Sequence, residues 1–374
     1  MSDPLAAARS LLTGLVGDQA EAWDRAGRLP RELLTKLGAG GYLSPGVPAA
    51  YGGLGWTSAR DGEFTAHVGS LCSSLRSVMT SQGMAAWTIE RLGDEEQRAD
   101  LLGRLTGGDL AAVAFSEPQA GSDLSAIATR IHRDGDSVVV DGHKTWSTAA
   151  VYADFVVVFG MLDDGGAGAV VVPADAPGVE IERIADPLGC RAAGHADLRM
   201  TGVRLPAACL LGGGGQFLPL LVTTALAYGR MSVAWGCVGI LRACLHAAGK
   251  HARTREQFGR TLGGHQLVAR HLAELLVAEQ AATRACEHAS RCRDEGSPDQ
   301  VIATVLAKHT SATNAAWGAA VAVQVLASAG TRDGHAVARA YRDAKCMEII
   351  EGSNEMCQLL LADHVLTGAG RGGR

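Results

Sequence analysis

The 374-residue sequence is poor in aromatic side chains (5%) and carries no large excess of either charge, with 34 basic against 39 acidic residues and a formal net charge of −5. Nucleic-acid or anionic-membrane binding draws on a basic surplus, so neither partner is expected. The nine cysteines, at 72, 190, 209, 237, 244, 286, 292, 346 and 357, include no CxxC pair and no cluster at metal-ligand spacing. No metal is expected, and the cysteines read as reduced, mostly buried thiols of a cytoplasmic protein. No GxGxxG joins a strand to a helix and no GxxxxGK[ST] occurs, which argues against the common nicotinamide and P-loop sites. Repeats and low-complexity segments are absent. Met1–Val16 opens with Asp3 and places Arg9 within its apolar face, unlike the basic-then-apolar order of a signal peptide. The uncharged run Thr310–Thr331 is rich in alanine and holds Asn314, Gln324 and Ser328, so a buried helix is expected there rather than a membrane span.

What is present is a globular chain, 47% hydrophobic and 20% charged, long enough for two or three domains. From Pro4 to about Asp109 the apolar spacing is helical: Leu5, Leu11, Leu12 and Leu15, then Leu33, Leu34 and Leu37, then a block from Gly62 to Leu105. Val47–Trp56 is broken by glycine and proline into a loop. Cys72–Ser77 is small and polar, fit either to cap a buried helix or to line a pocket. At about Leu110 the character changes. Ala111–Ser116, Ser137–Val140, Phe155–Phe159 and Ala169–Val172 are short β-branched or aromatic runs, with a turn signal at Asp141-Gly142, and strands are expected to about Val203. Gly212–Gly215 reads as a flexible junction, after which helical spacing returns. The expected class is α+β, in domains 1–109, 110–211 and 216–374.

Four stretches can carry chemistry. In Tyr341–Cys357, Glu351 follows Ile349 and Ile350 and precedes Gly352, so a carboxylate desolvated by isoleucines at a helix end would suit a general base; a solvated C-terminal glutamate is the plainer alternative. Phe115-Ser-Glu-Pro-Gln-Ala-Gly-Ser-Asp123 is a strand running into a glycine turn that exposes hydroxyls and N–H groups, or an ordinary Asx-type turn. Lys144-Thr-Trp-Ser-Thr148, on a neighbouring strand, offers a flat aromatic and hydroxyls to a planar heterocycle, or simply a core tryptophan. Thr254-Arg-Glu-Gln-Phe-Gly259 places Arg255 at a helix break, where a guanidinium can meet a phosphate or stay solvated.

In order and spacing these stretches resemble the acyl-CoA dehydrogenase family over nearly the entire chain. The resemblance rests on Tyr51-Gly-Gly, Ser116-Glu-Pro with Ala120-Gly-Ser-Asp123, and Gly142-His-Lys-Thr-Trp-Ser-Thr148. Toward the C-terminus it rests on Arg255 with Gln257-Phe-Gly259, Gln266, Tyr341-Arg-Asp-Ala-Lys345 and Glu351-Gly-Ser353. It implies an N-terminal α-helical domain, a middle β-barrel or sandwich domain and a C-terminal four-helix bundle. It also implies a homodimer or homotetramer, with FAD held between the β and C-terminal domains and by a neighbouring subunit. By the resemblance Phe115 and Ser116 line the flavin, Trp146 covers it and Thr148 reaches N5. Ser122 meets phosphate or the substrate's pantetheine arm, Arg255, Phe258 and Gln324 hold the partner's FAD, and Ser353 lies on the adenylate side. Glu351 matches the catalytic base, Arg230 and Gly352 lie by the substrate, and the family's alternative base position falls on Gly229, which cannot serve.

Two departures stand out. Ala327 and Ser328 replace a glycine pair of the family near the FAD, with Gly330 kept, and Ala227 replaces an acidic residue used for the CoA arm. The small-residue core, Cys72–Ser77 and Ser81-Gln-Gly-Met84 look like the branch found in actinobacterial polyketide clusters. Those members act on a three-carbon oxygenated acyl group on an acyl carrier protein, for hydroxymalonyl or methoxymalonyl extender units. The alternative is a catabolic short-chain enzyme that forms 2-enoyl-CoA and passes electrons to an electron-transferring flavoprotein or another acceptor.

Overall fold

In the computed structural model, which describes residues 3–368, helices fill both ends of the chain and a sheet its middle. The first six helices are α1 (Pro4–Val16), α2 (Ala20–Ala26), α3 (Arg31–Ala39), α4 (Ser58–Leu71), α5 (Ser73–Leu92) and α6 (Glu95–Gly107). Their boundaries have local causes. Asp3 accepts the Leu5 N–H ahead of Pro4, and Asp94 with Gln97 forms a capping box at α6. Cys72, extended at φ −156° and ψ 106°, interrupts the helical block, which begins at Ser58 and not Gly62, and separates α4 from α5. Cys72–Ser77 thus forms a helix junction, and all six of its residues are buried.

The sheet has seven strands: β1 (Ala111–Ala114), β2 (Arg130–Asp134), β3 (Ser137–Ser147), β4 (Phe155–Leu162), β5 (Ala167–Pro173), β6 (Val179–Arg183) and β7 (Ala196–Pro206). β5 runs antiparallel along one edge of β4, while β1 and the end of β2 share its other edge in parallel. From β2 the sheet continues through β3, β7 and β6, all antiparallel. Alternation along β4 divides two cores. Phe155, Val157 and Phe159 pack with Met84, Leu102, Leu105 and Leu221 of the helices. Val156 and Val158 join Val138, Val140, Leu198, Met200 and Val203, so the sheet curls over a core of its own.

The Asp141-Gly142 turn is not formed. β3 runs from Ser137 through to Ser147, with a shift of register against β7 between Val140 and Gly142. Gly142 is there for close packing, since a Cβ would lie 2.3 Å from Thr129 Oγ1. Lys144–Ser147 therefore continues the strand of Ser137, and β3 neighbours the Phe115–Asp123 segment, with the Thr145 N–H donating to the Ser116 carbonyl. Nor is Gly212–Gly215 a loose linker: the Gly212 N–H donates to Gln97 Oε1 at 3.0 Å, and a Cβ on Gly212 would meet the Leu92 carbonyl oxygen at 2.3 Å.

The last third holds α7 (Leu218–Thr254), a short hairpin of β8 (Glu256–Gln257) and β9 (Arg260–Thr261), then α8 (Gln266–Asp294), α9 (Gln300–Leu326), α10 (Ala336–Met347) and α11 (Asn354–Gly368). Helices α7, α8 and α9 pack together, and the fourth position of the bundle is shared by α10 and α11 on either side of a turn at 348–353. One helix, α7, is long and apolar enough to cross a membrane, but 72% of its apolar window is buried inside the protein. The Thr310–Thr331 run is helical as far as Leu326 and, short of the buried helix expected, buries only one face through Ala312, Ala315, Ala319 and Ala322, while Trp317 and Gln324 are exposed. At its end Ala327 sits at φ 50° and ψ −133°, a conformation natural to glycine and strained for alanine. Ala327→Gly is therefore expected to raise stability by about 1 kcal/mol, read as a shift in denaturation midpoint.

Candidate active site

Glu351 lies in the turn between α10 and α11, four residues beyond the last helical residue of α10 and held at φ 56°. Three contacts fix the turn. Lys308, wholly buried, donates from Nζ to the Gly352 carbonyl at 2.7 Å, Arg230 Nε donates to the Glu351 carbonyl at 3.1 Å, and the Asn354 N–H donates to the Glu348 carbonyl at 2.8 Å. Among the described residues the backbone N–H groups of Glu351, Gly352 and Ser353 donate to no backbone acceptor. They remain free to meet an oxygen from outside the chain.

The carboxyl group leans onto α7 at Gly229. A Cβ there would stand 2.2 Å from Oε2 and 2.6 Å from Cδ of Glu351, and 2.8 Å from Met84 Sδ. Though the residue as a whole is half-buried, Oε2 is sealed from solvent and has no hydrogen-bond partner. Burial pushes the carboxyl up to about 7, against the opposing charges of Arg230, Lys308 and Arg76. The isoleucines contribute less than expected: Ile350 packs against the main core, but Ile349 is 60% exposed. The desolvation comes from the seat between Gly229 and Met84.

A second group of residues surrounds an open surface. Trp146 stands at φ 57° with its indole 55% exposed, and Thr148 Oγ1 lies 3.1 Å from His195 Nδ1 beneath it. Phe115 stacks on Phe159 with ring centroids 4.2 Å apart, and the Ser116 carbonyl accepts the Thr145 N–H at 2.8 Å, which ties the two motifs together. Beyond Ser116 the loop is anchored by the buried pair Glu117–Lys144, 2.7 Å apart. Glu117 also accepts from the N–H groups of Ala128 and Thr129 and from the Thr129 hydroxyl. Burial works to raise the Glu117 carboxyl, but hydrogen bonds from Lys144, Thr129 and Ala128 outweigh it and hold it at about 2. Burial lowers Lys144 to about 8 even with Glu117 beside it, so both groups are ionised at neutral pH. Ser122, at the loop's tip, is exposed, and nothing would obstruct a side chain at neighbouring Gly121.

Lys144→Met leaves Glu117 buried without its cation, so a loss of about 3–5 kcal/mol is expected together with loss of bound flavin. Adding Glu117→Gln to that variant should restore part of both, as equilibrium unfolding and flavin absorbance would show.

Arg255 ends α7 as expected, extended at φ −85° and ψ 127°, and is exposed. Phe258, at φ 51° and 95% exposed, tips the β8–β9 hairpin; Gln324 is exposed near the end of α9. Ser353 Oγ accepts the Met356 N–H at the head of α11. The chain therefore brings Glu351, Gly352, Arg230 and Ser353 to one turn, and Phe115, Ser116, Trp146 and Thr148 to one surface. Arg255, Phe258 and Gln324 lie on solvent-facing parts of the C-terminal bundle. An open indole beside the Thr148 hydroxyl, with an unencumbered glycine loop nearby, fits a planar ring system carrying a phosphate arm.

Three family models match the chain: the acyl-CoA dehydrogenase N-terminal domain over residues 5–109, the middle domain over 112–203 and the C-terminal domain over 220–366. The chain belongs to the acyl-CoA dehydrogenase family, whose members are FAD flavoproteins, and it is an acyl-thioester oxidoreductase of that kind. It is similar to the solved structure of FkbI, for biosynthesis of the methoxymalonyl extender unit of the Fk520 polyketide immunosuppressant, with 65% identity and a TM-score of 0.93, covering 96% of this chain and 99% of that one. It also matches butyryl-CoA dehydrogenase from Megasphaera elsdenii, with 26% identity and a TM-score of 0.93 over 98% and 99% of the two chains. A probable acyl-CoA dehydrogenase of Bacillus subtilis, YngJ, is 32% identical over 362 residues, 94% of each chain.

Sequence reasoning alone did not single out Met84, His195, Lys308 or the Glu117–Lys144 pair. Lys308 and His195 carry no local pattern, since each acts on a segment more than forty residues away. Burial, then the charges of Arg76 and Arg183, lowers His195 to about 4, so it sits neutral beside Thr148.

Proposed function

We propose that this chain oxidises a three-carbon oxygenated acyl group carried on an acyl carrier protein, in the supply of a methoxymalonyl or hydroxymalonyl extender unit for a polyketide. The similarity to FkbI at 65% identity over nearly the full length of both chains is the observation that carries this reading. Ala227, where an acidic residue would serve a CoA arm, agrees with a carrier-bound pantetheine.

Bound FAD supplies the hydride acceptor. The chain's own residues do the rest. The free amides at Glu351 and Gly352 receive the thioester carbonyl oxygen, stabilising negative charge as it develops. Glu351 Oε2, seated on Gly229, takes the proton from the acyl group, while Arg230 and Lys308 hold its turn still. Trp146 would cover the flavin, Thr148 would serve its N5 side, and Phe115, Ser116, Ser122 and Ser353 would hold the rest of the cofactor. Arg255, Phe258 and Gln324, exposed within one chain, are assigned to the FAD of a neighbouring subunit in a homodimer or homotetramer. Domains 1–109, 110–211 and 216–374, a cytoplasmic setting and an electron-transferring flavoprotein or other acceptor complete the reading.

The test is anaerobic bleaching of the FAD-loaded protein by a three-carbon oxygenated acyl carrier protein beside butyryl-CoA. Fast bleaching by the carrier-bound group alone supports the reading. Equal bleaching by butyryl-CoA returns the chain to short-chain catabolism and formation of a 2-enoyl-CoA.

A further inference from the structure

A cavity of about 260 Å³ opens beside α5 and α7 on a different side of the helix pair from Glu351. Successive residues on a helix point about 100° apart. Met84 and Gly229 seat the Glu351 carboxyl, whereas Gly83 and Tyr228, one residue earlier on each helix, line the cavity with α4 and the end of α8. Between the two spaces the helices are joined by the Thr80 and Ser232 hydroxyls, 2.7 Å apart.

The cavity wall carries charges that do not meet one another. Arg293 Cζ stands 3.9 Å from the ring centroid of Trp87 and 5.5 Å from that of Tyr228, and Arg91 Cζ stands 4.0 Å from Trp87. Among the described residues neither arginine enters an ion pair. Asp61, 9% exposed, accepts from the Tyr228 hydroxyl at 3.0 Å and from the Thr65 hydroxyl at 3.3 Å. Burial raises its carboxyl in spite of those bonds. Asp294 is already engaged, taking the N–H groups of Ser58 and Ala59 at 2.6 and 3.2 Å, so Glu90 alone sets a free carboxylate against the two guanidiniums at the mouth. Trp87 is fixed between them, its Nε1 donating to the Thr224 carbonyl at 2.8 Å. Packing is a poor account of this arrangement. A guanidinium and a carboxyl sharing one buried space stabilise a fold best by pairing, yet stacking on two rings holds Arg293 away from Asp61.

Two guanidiniums cannot both stand over one face of an indole at these distances, so they flank Trp87 with their carbons roughly 8 Å apart. In a forked pair a carboxylate carbon lies about 4 Å from the guanidinium carbon, and the carboxyl carbons of a four-carbon diacid are also about 4 Å apart. One such molecule can reach both arginines around the edge of the ring. A hydroxyl on its chain would meet Asp61, whose raised carboxyl suits a neutral partner better than a second cation. A cavity of about 150 Å³ admits benzene, so this one has room for about ten non-hydrogen atoms.

We propose that the cavity is a binding site for a small hydroxylated dicarboxylate, its carboxylates on Arg293 and Arg91 and its hydroxyl on Asp61. The site is separate from the one that holds the acyl group, and the proposal does not depend on which acyl group is oxidised.

L-malate and succinate share a four-carbon frame and differ by the hydroxyl. Each is titrated calorimetrically into the FAD-loaded wild-type protein and into Arg293→Gln and Ala86→Leu, the second of which fills the cavity from a buried position on its wall. Wild type is expected to bind malate with a Kd of about 1 mM or tighter, and succinate about tenfold more weakly. Both variants should weaken malate at least about tenfold while keeping their flavin, and malate should leave the flavin absorption band of wild type unmoved. Absence of saturable malate binding in wild type overturns the proposal without any variant, and equal affinity for succinate overturns the ligand class. Binding that survives both variants, or that butyryl-CoA displaces with a shift of the flavin band, puts the dicarboxylate in the acyl site and also overturns the proposal.

Discussion

Glu351→Gln should yield a folded, yellow protein whose flavin is no longer bleached by substrate, the rate falling by roughly 10²- to 10⁴-fold. The amide occupies nearly the same volume, so the seat over Gly229 and beside Met84 stays filled, and the bonds from Arg230 and Lys308 go to backbone carbonyls that the substitution leaves alone. Only the ability to accept a proton is removed. Stopped-flow absorbance under anaerobic conditions gives the rate, and flavin content of the purified variant gives the control. Bleaching at the wild-type rate would place the base elsewhere.

Gly229→Ala should be nearly as damaging, although it touches no atom of the reaction. The added Cβ would lie 2.2 Å from Oε2, so the carboxyl must move or turn aside, and Met84, with Sδ 2.8 Å away, would have to yield as well. A misplacement of about 1 Å in a reacting group costs on the order of 10²-fold. The expected result is a loss of that size in the bleaching rate with flavin content retained. Full activity in this variant would mean that the carboxyl works from another position than the one over α7.

Both predictions show how the site is divided between sequence and space. The three-part order of helices, sheet and helices was legible, because periodicity of 3.6 gives way to β-branched runs near Leu110 and returns after Phe217. Glu351, Gly229, Trp146 and Thr148 could be put forward as candidates because each stands in a motif whose order along the chain carries information. The Asp141-Gly142 turn misled: a dipeptide that usually closes hairpins here lies within β3, with Gly142 pressed against Thr129. The cause of the Glu351 shift was also misplaced, on isoleucines next to it in sequence instead of Gly229 and Met84, which reach it across the fold. Strands β2 and β6 are Arg-Ile-His-Arg-Asp and Val-Glu-Ile-Glu-Arg, too polar to stand out from loops until β3 and β7 pair with them. Lys308 sits in a helix of small apolar residues and becomes part of the site only when α9 packs behind the turn at 348–353. No local pattern records that a lysine will meet a carbonyl forty-four residues later.

The claim at the centre of this account is that a carboxyl group, raised by burial to about 7, removes the proton. It is tested most directly by the pH dependence of anaerobic single-turnover bleaching in the wild-type protein. The base works only when ionised, so its active fraction falls about tenfold for each pH unit below the midpoint and is complete above it. The rate should therefore rise with pH, bend near 7 and level off in the alkaline range. Glu351→Gln should show only a low residual rate without that bend. A wild-type rate that is flat from pH 5 to 9, or that falls as pH rises through 7, would contradict the assignment of Glu351 as the base.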